Sequence, residues 1–260
     1  MDKSEAIRAI YRERATKDRY ATSPDFNLRE LEIEAICRHM SSNQSVLDVG
    51  CGNGYSTLSF ASRFSSTFTG IDFVPEMVDV SRQLSQAATL RGPISFEVGD
   101  ATALRFDDAS FDIVVSQRCL LNLPSREHQW RAMSEISRVL KPEGQYLMLE
   151  GTLQGLRRLN GVRQKFGLPA IAEADPQTNR YSLKFDEPEL EQEIRKHFSR
   201  IDSVERFGMY FFLSRVVHPL LVAPDSPRYD APLNLIARQI CAAMPDFQEM
   251  GHVALWVLRR

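Results

Sequence analysis

Apolar positions in this chain follow two spacings that alternate along its length. Short runs rich in β-branched and aliphatic residues predict buried strands, and the longer stretches between them, apolar at every third or fourth position, predict amphipathic helices. Strands are predicted at residues 46–49, 68–72, 94–98, 111–116, 146–150, 201–212 and 252–258. Their alternation with helices predicts an α/β fold, a doubly wound, mostly parallel, seven-stranded sheet with helices on both faces.

The same rhythm divides the chain into four segments. Helical stripes within residues 1–44 predict N-terminal helices, which we expect to cover the ligand site of a core formed by residues 45–151. Residues 152–185, an amphipathic helix and an irregular stretch, are expected to form a cap inserted after the fifth strand. Residues 186–260 are expected to complete the core and to contain a proline-rich insertion at residues 213–250.

Composition disfavours several classes of function. The apolar fraction of 43% suffices for a full core, and the formal net charge of −2 gives no general attraction to nucleic acid or to an anionic membrane. No apolar run approaches the length of a membrane span, and no secretion signal is apparent. The four cysteines lie far apart without a CxxC pair, which favours reduced thiols over disulfides or a metal site. We therefore expect a cytoplasmic protein with no metal, no nucleic-acid partner and no membrane span.

Candidate chemistry begins at a glycine-rich turn after the first strand. Gly50, Gly52 and Gly54 fall within five positions, and a helix is predicted to begin near Tyr55. Glycine adopts positive φ readily and lets a ligand approach the backbone, while the first N–H groups of a helix lack partners within it. The pattern therefore predicts a nucleotide-type site.

The residues around this turn narrow the kind of nucleotide. A P-loop requires a lysine followed by Ser or Thr after the last glycine, and Tyr55 and Ser56 stand there instead. Asp72, at the predicted end of the second strand, suits the ribose hydroxyls of a dinucleotide or of another adenosine ligand. Asp48, just ahead of the turn, would repel a pyrophosphate but attract an ammonium or sulfonium group. Asp100, after the third strand, is placed to accept from an adenine amino group.

Four blocks in this order resemble the class I S-adenosylmethionine-dependent methyltransferases, in particular their small-molecule branch. The blocks are residues 46–54 with the motif VLDVGCGNG, residues 70–77, residues 99–101 with 111–116, and residues 138–144. The resemblance implies a Rossmann-like fold, methyltransferase activity, S-adenosyl-L-methionine as the cofactor and S-adenosyl-L-homocysteine as the product.

The resemblance also implies cofactor-binding roles for individual residues. Those expected to hold the methionine moiety are Asp48, Gly50, Cys51, Gly52, Asn53 and Gly54. Those expected to contact the ribose and the adenine are Asp72, Phe73, Met77, Asp100 and Ala101. Gln117 is expected to lie along the cofactor near the reacting centre.

The methyl acceptor is less constrained. Residues 116–124, which follow the fourth strand, lack the Asn/Asp-Pro-Pro-aromatic signature of base-amino methyltransferases and place no metal-binding acid at the end of that strand. A hydroxyl of a small metabolite or glycan is the leading hypothesis, and residues 207–219 loosely resemble bacterial methyltransferases encoded with surface-polysaccharide biosynthesis. The alternatives are methyl transfer to carbon or nitrogen of a small aromatic or amine metabolite, and a non-catalytic cofactor-binding subunit of a partner.

Candidate residues for acceptor chemistry come from several segments. A cap could exclude water from the acceptor, and its arginines either grip an anionic group or form the solvated face of a helix. The arginine candidates are Arg118, Arg157, Arg158 and Arg163. The candidate bases are His218, Tyr210, Glu150, Tyr181 and His197, with His218 ranked first among the histidines. We expect the chain to act as a monomer or homodimer.

Overall fold

A seven-stranded sheet organises the chain, as predicted. The computed structural model describes residues 3–16, 18, 21–174, 181–243 and 250–260. Its strands are β1 (Ser45–Val49), β2 (Thr67–Asp72), β3 (Ile94–Val98), β4 (Phe111–Gln117), β5 (Leu140–Gly151), β6 (Arg200–Arg206) and β7 (Val253–Arg259). They lie in the order β3-β2-β1-β4-β5-β7-β6, and of these seven only β7 runs in the opposite direction to the others. The α/β class and the mixed, mostly parallel sheet are therefore confirmed.

Helices pack against this sheet and precede it. They are α1 (Lys3–Glu13), α2 (Phe26–Cys37), α3 (Tyr55–Arg63), α4 (Pro75–Gln86), α5 (Arg126–Val139), α6 (Leu153–Lys165), α7 (Glu187–His197), α8 (Gly208–Phe212), α9 (His218–Val222) and α10 (Pro232–Ala243). A 3-10 turn covers Leu120–Asn122, and a π-helical turn, Leu213–Val217, joins α8 to α9. None of the helices in the described ranges has the length and apolarity needed to cross a bilayer.

Alternation along the central strands creates two cores. Neighbouring side chains of a strand point to opposite faces, so Val46 belongs to one core and Leu47 to the other. The first core holds residues of α2, α3, α6, α8 and α10, and the second holds residues of α5 and α7. Because both faces are covered, the strands read as almost continuous apolar runs, which is why they could be recognised in the sequence.

One predicted strand is too long. The expected strand at residues 201–212 ends at Arg206, and a helix begins at Gly208. The aromatic residues that suggested a strand instead face the first core from a helix, where Tyr210 and Phe211 are fully buried. β-propensity describes how well a side chain fits a half-buried surface, so helical packing can override it.

The helical run continues into the segment predicted as a proline-rich insertion. Pro219 has no N–H to donate to the carbonyl of Arg215, four residues earlier. In the π-helical turn the hydrogen bonds join residues five positions apart, so that the His218 N–H bonds Leu213 O. The Arg215 carbonyl accepts from the Arg163 guanidinium instead. Residues 175–180 of the predicted cap and residues 244–249 of the predicted insertion lie outside the described residues.

A buried carboxylate ties this C-terminal helical run to α2. Asp25 caps α2 by accepting from the Leu28 N–H at 3.2 Å, and it also accepts from the Tyr210 hydroxyl at 2.5 Å. Arg215 forms an ion pair with the same carboxylate. One acid therefore satisfies a helix start, a buried phenol and a guanidinium, and Tyr210 has a structural role at this position.

Replacing Tyr210 with Phe should lower the free energy of unfolding by about 1–2 kcal/mol, because a buried carboxylate loses a donor while keeping its other partners. Guanidinium unfolding followed by circular dichroism measures the change. Tyr229→Phe is the matched control, since that ring is 44% exposed and Phe keeps its contact with Arg215. Equal losses in the two variants would contradict the role assigned to the Tyr210 hydroxyl.

Candidate functional site

A cavity of about 370 Å³ opens at the carboxyl ends of β1, β2 and β4. This is the edge at which open parallel sheets bind ligands. The connections that follow the strands form its floor, and α1 with residues 22–29 contributes its cover. Its polar or charged lining residues include Arg8, Tyr11, Thr22, Arg29, Asp48, Asn53, Ser56, Asp72, Asp100, Gln117, Arg118, His128 and Arg131.

The glycine turn lies against the cavity and has the positive φ angles that the sequence predicted. Gly50 and Gly52 have φ of +77° and +57°, and the N–H groups of Gly50 and Cys51 both bond Ile71 O, at 2.8 and 2.9 Å. A Cβ at Gly50 would approach Cys119 Sγ to 2.3 Å, so a side chain there would displace the connection after β4. The turn is therefore held to β2 by backbone bonds and to β4 by close packing.

Two carboxylates flank this turn, buried Asp48 and half-buried Asp72. Asp48 accepts from the Thr57 hydroxyl at 2.6 Å, and Asp72 accepts from the N–H groups of Gly52 and Val74, each at 2.9 Å. Burial raises the pKa of Asp48 and the pKa of Asp72 to about 6, and these hydrogen bonds oppose the shift. Within the described residues neither acid forms an ion pair with a Lys, Arg or His side chain.

The far side of the cavity combines an aromatic ring with a polar turn. Phe73 is 36% exposed, and the Arg8 guanidinium of α1 lies 4.0 Å from its ring centroid. Asp100 Oδ1 accepts from both the N–H and the hydroxyl of Thr102, each at 2.8 Å, which fixes the turn after β3. Ala101 lines the cavity beside them.

Ten of the twelve predicted cofactor-binding residues line the cavity, and two do not. Met77 is fully buried in α4. Gly54 begins α3, and a Cβ there would meet Ser81 and Phe96 rather than the cavity. Neither residue lines the cavity in this structure: Met77 is buried within α4, and Gly54 packs against α4 and β3.

Arg118 is the one predicted catalytic residue among the cavity-lining side chains. It follows β4 with φ of +53°, a conformation that few non-glycine residues adopt. Its N–H bonds Leu149 O at 2.7 Å, and its carbonyl accepts from Asn122 Nδ2 at 2.7 Å. Its guanidinium reaches Ser23 Oγ at 3.2 Å. Surrounding bonds thus hold a strained residue at the edge of the site.

The predicted bases His218, Tyr210 and Glu150 do not line the cavity. His218 is 3% exposed and lies at the start of α9, on the C-terminal helical run. Glu150 is fully buried and accepts from the N–H groups of Cys119, Leu120 and Leu121, at 2.9–3.2 Å. Burial raises the pKa of Glu150 to about 7 although these bonds oppose it. Glu150 therefore positions the connection after β4.

The other candidates also lie away from the cavity. His197 pairs with Glu193 at the end of α7, and Tyr181 is not among the lining residues. In α6, Arg157 and Arg158 are exposed and Arg163 bonds backbone carbonyls. None of the described residues of the predicted cap lines the cavity, and its cover comes from α1 and residues 22–29 instead.

Several lining residues escaped sequence reasoning. Tyr11, Arg8, Arg29, His128 and Arg131 all face the cavity from helices. In the sequence they are ordinary polar positions of amphipathic helices, and only the weak stripe of α1 hinted at a covering role. Among the described residues, no group of three or more His, Cys, Asp or Glu side chains is arranged to hold a metal ion.

Residues 46–144 match the family model of the methyltransferase domain. Curated relatives include ajmaline N-methyltransferase of Rauvolfia serpentina, 35% identical over 36% of this chain and 32% of that protein. An O-methyltransferase of Pyrenophora dematioidea is 30% identical over 52% of this chain and 51% of that protein. The chain thus spans about half or less of the length of these relatives.

The fold extends beyond the matched domain. The crystal structure of an S-adenosylmethionine-dependent methyltransferase from Methanosarcina mazei superposes with a TM-score of 0.58. It covers 87% of this chain and 96% of the other at 20% identity, which establishes a shared architecture.

The cavity fits the charge of S-adenosylmethionine. Asp48 is buried and Asp72 is half-buried, neither carboxylate has a cationic partner in the described residues, and the cofactor carries a sulfonium and an ammonium group. A bound cation would favour the ionised form of both acids. The residues that would hold the cofactor are those of the glycine turn, Asp48 and Asp72, with Asp100 and Phe73 on the adenosine side.

Affinity for S-adenosylmethionine should fall at least about tenfold between pH 7.5 and pH 5, because protons compete with the cation for carboxylates whose pKa in the free protein is about 6. Above pH 7 both acids are ionised and binding is strongest. Isothermal titration across this range measures the slope. Asp72→Asn should bind more weakly at pH 7.5 and vary less with pH, and affinity that holds steady down to pH 5 would contradict the assignment.

Proposed function

We propose that this chain, whose residues 46–144 match the methyltransferase domain, is a class I S-adenosylmethionine-dependent methyltransferase that transfers a methyl group to a hydroxyl of a small metabolite or glycan. The observation that carries the proposal is the pair of acids, buried Asp48 and half-buried Asp72, that line one cavity beside the glycine turn. S-adenosylmethionine supplies a methyl group already activated on a sulfonium sulfur.

The chain's own contribution is alignment and the exclusion of water. Gln117 and Arg118 leave β4 at the cavity edge, where the amide and the guanidinium group can orient an acceptor. Helix α1 covers the opening, and its Tyr11 ring lies in the cavity wall. Burial raises the pKa of Tyr11 to about 12, so its hydroxyl stays protonated and acts as a hydrogen-bond donor.

His128 replaces His218 as the proposed group that removes the acceptor's proton. It lines the cavity from the first turn of α5, and its Nδ1 lies 2.8 Å from the hydroxyl of Ser125, the residue that caps this helix. When Nδ1 donates to Ser125 Oγ, Nε2 is the unprotonated nitrogen and can accept a proton. A hydroxyl acceptor needs such a base.

Methyl transfer to nitrogen or carbon is the second candidate function. Relatives are named for N-, O- and C-methyl transfer, and their cofactor domains are alike. Among the described lining residues the acids are Asp48, Asp72 and Asp100, all assigned to the cofactor. Arg29, Arg118 and Arg131 also line the cavity, which favours a neutral or anionic acceptor over an amine. The proposal includes a cytoplasmic location, which the four unpaired cysteines favour, and a monomer or homodimer.

An acceptor panel of sugars, glycosides, phenols and amines, read out by transfer of labelled methyl, tests the proposal. Incorporation that acid or enzymatic O-demethylation removes supports a hydroxyl acceptor. Incorporation that resists O-demethylation establishes the nitrogen or carbon alternative. Tight binding of the cofactor with no turnover on the whole panel would favour a non-catalytic subunit.

Replacing His128 with Gln should lower kcat for a hydroxyl acceptor by about 100-fold, the typical contribution of a general base. Affinity for S-adenosylhomocysteine should be unchanged because His128 is assigned to the acceptor. Steady-state kinetics and isothermal titration separate the two effects. His39→Gln, at a histidine paired with Glu205, is the control. A kcat unaffected by the His128 change would remove it from the mechanism.

A further inference from the structure

One buried acid near the site has no role in the proposed reaction. Glu32 belongs to α2 and is 0% exposed. Its Oε2 accepts from Gln117 Nε2 at 2.7 Å and lies 3.2 Å from Arg118 Nη2. Its Oε1 is buried and has no hydrogen-bond partner among the residues that the structure describes. The carboxylate thus lies directly behind the two residues that leave β4 at the cavity edge.

The first consequence concerns the orientation of Gln117. Its Oε1 accepts from Ser56 Oγ at 2.6 Å, and its Nε2 donates to Glu32. An ionised carboxylate only accepts hydrogen bonds, so it requires the NH2 end of the amide to face α2. Glu32 therefore decides which end of the Gln117 amide points toward the ligand.

The second consequence concerns charge. Arg118 and Arg29 both line the cavity. Burial is the main cause that lowers the pKa of Arg29 to about 10, the nearby charge of Arg118 lowers it further, and the carboxylate of Glu32 opposes the shift. Two guanidinium groups beside a cationic ligand would repel it. Glu32 is the buried acid that contacts Arg118, and its carboxylate offsets the charge of the guanidinium group.

We propose that Glu32 is a positioning residue that orients Gln117 and neutralises Arg118, so that the cavity accepts the sulfonium form of the cofactor beside an arginine. This inference rests on the proposed function, because it presupposes that S-adenosylmethionine occupies the cavity. It assigns to α2, outside the matched methyltransferase domain, a part in distinguishing the charged methyl donor from its neutral product.

S-adenosylmethionine and S-adenosylhomocysteine differ by one methyl group and one positive charge, so the ratio of their dissociation constants reports this effect without any acceptor. Isothermal titration of the full chain with each ligand measures it. Glu32→Gln should lower the affinity for S-adenosylmethionine relative to that for S-adenosylhomocysteine by about tenfold, because the positive charge of Arg118 is no longer offset by a carboxylate. A merely structural role would weaken both ligands equally.

Two further variants and a control complete the experiment. Arg118→Asn should shift the ratio of the two dissociation constants in the opposite direction, and Asn is chosen because it tolerates positive φ. The double variant, Glu32→Gln with Arg118→Asn, should return this ratio to the parent value. Glu34→Gln is the control, since Glu34 belongs to the same helix but pairs with Arg238. Circular dichroism verifies that each variant folds, and Arg118→Asn carries the test if Glu32→Gln does not.

The outcomes separate the two proposals. Opposite shifts for the two single variants, with restoration in the double variant, support the inference. A ratio that stays constant in both single variants, with the parent chain binding both ligands, overturns the role of Glu32 and leaves the proposed function intact. A parent chain that binds neither ligand overturns both.

Discussion

The parallel register of β1 between β2 and β4 is the constraint on which the site depends. Asp48 is paired with Gly70 on one side and Val115 on the other, which places the ends of three strands at one edge. Asp72 and Gln117 end the two flanking strands and consequently face the same cavity. Shifting the pairing by one residue would turn these side chains to the opposite faces of the sheet. Burial of the alternating apolar residues on two cores therefore also sets the geometry of the polar edge.

Sequence reasoning succeeded wherever the chain had a local reason to adopt its structure. The central strands β1 and β4 are buried on both faces, and the glycine turn requires positive φ, so both left strong local signals. The acids at the strand ends followed from the order of the elements. These features account for the confirmed fold class and for ten of the twelve predicted cofactor-binding residues that line the cavity.

The acceptor side could not be predicted because its residues are brought together by tertiary packing. His128 and Tyr11 are 117 positions apart and lie on helices with no shared motif, yet both line the cavity. His218 and Tyr210 were chosen for their residue types, and packing against the first core placed them elsewhere. Glu150 was placed correctly at a strand end, but its bonds to backbone N–H groups give it a structural task.

Helix α1 is held over the cavity by a particular kind of contact. Of its residues only Ala6 is buried, and its other contacts include the pairing of Arg12 with Glu76, at 2.9 Å, and of Arg8 with the Phe73 ring. Exposed ion pairs are worth about 0–1 kcal/mol and weaken with salt. A ligand bound beneath α1 would therefore be covered through contacts that cost little free energy to break and that weaken as ionic strength rises.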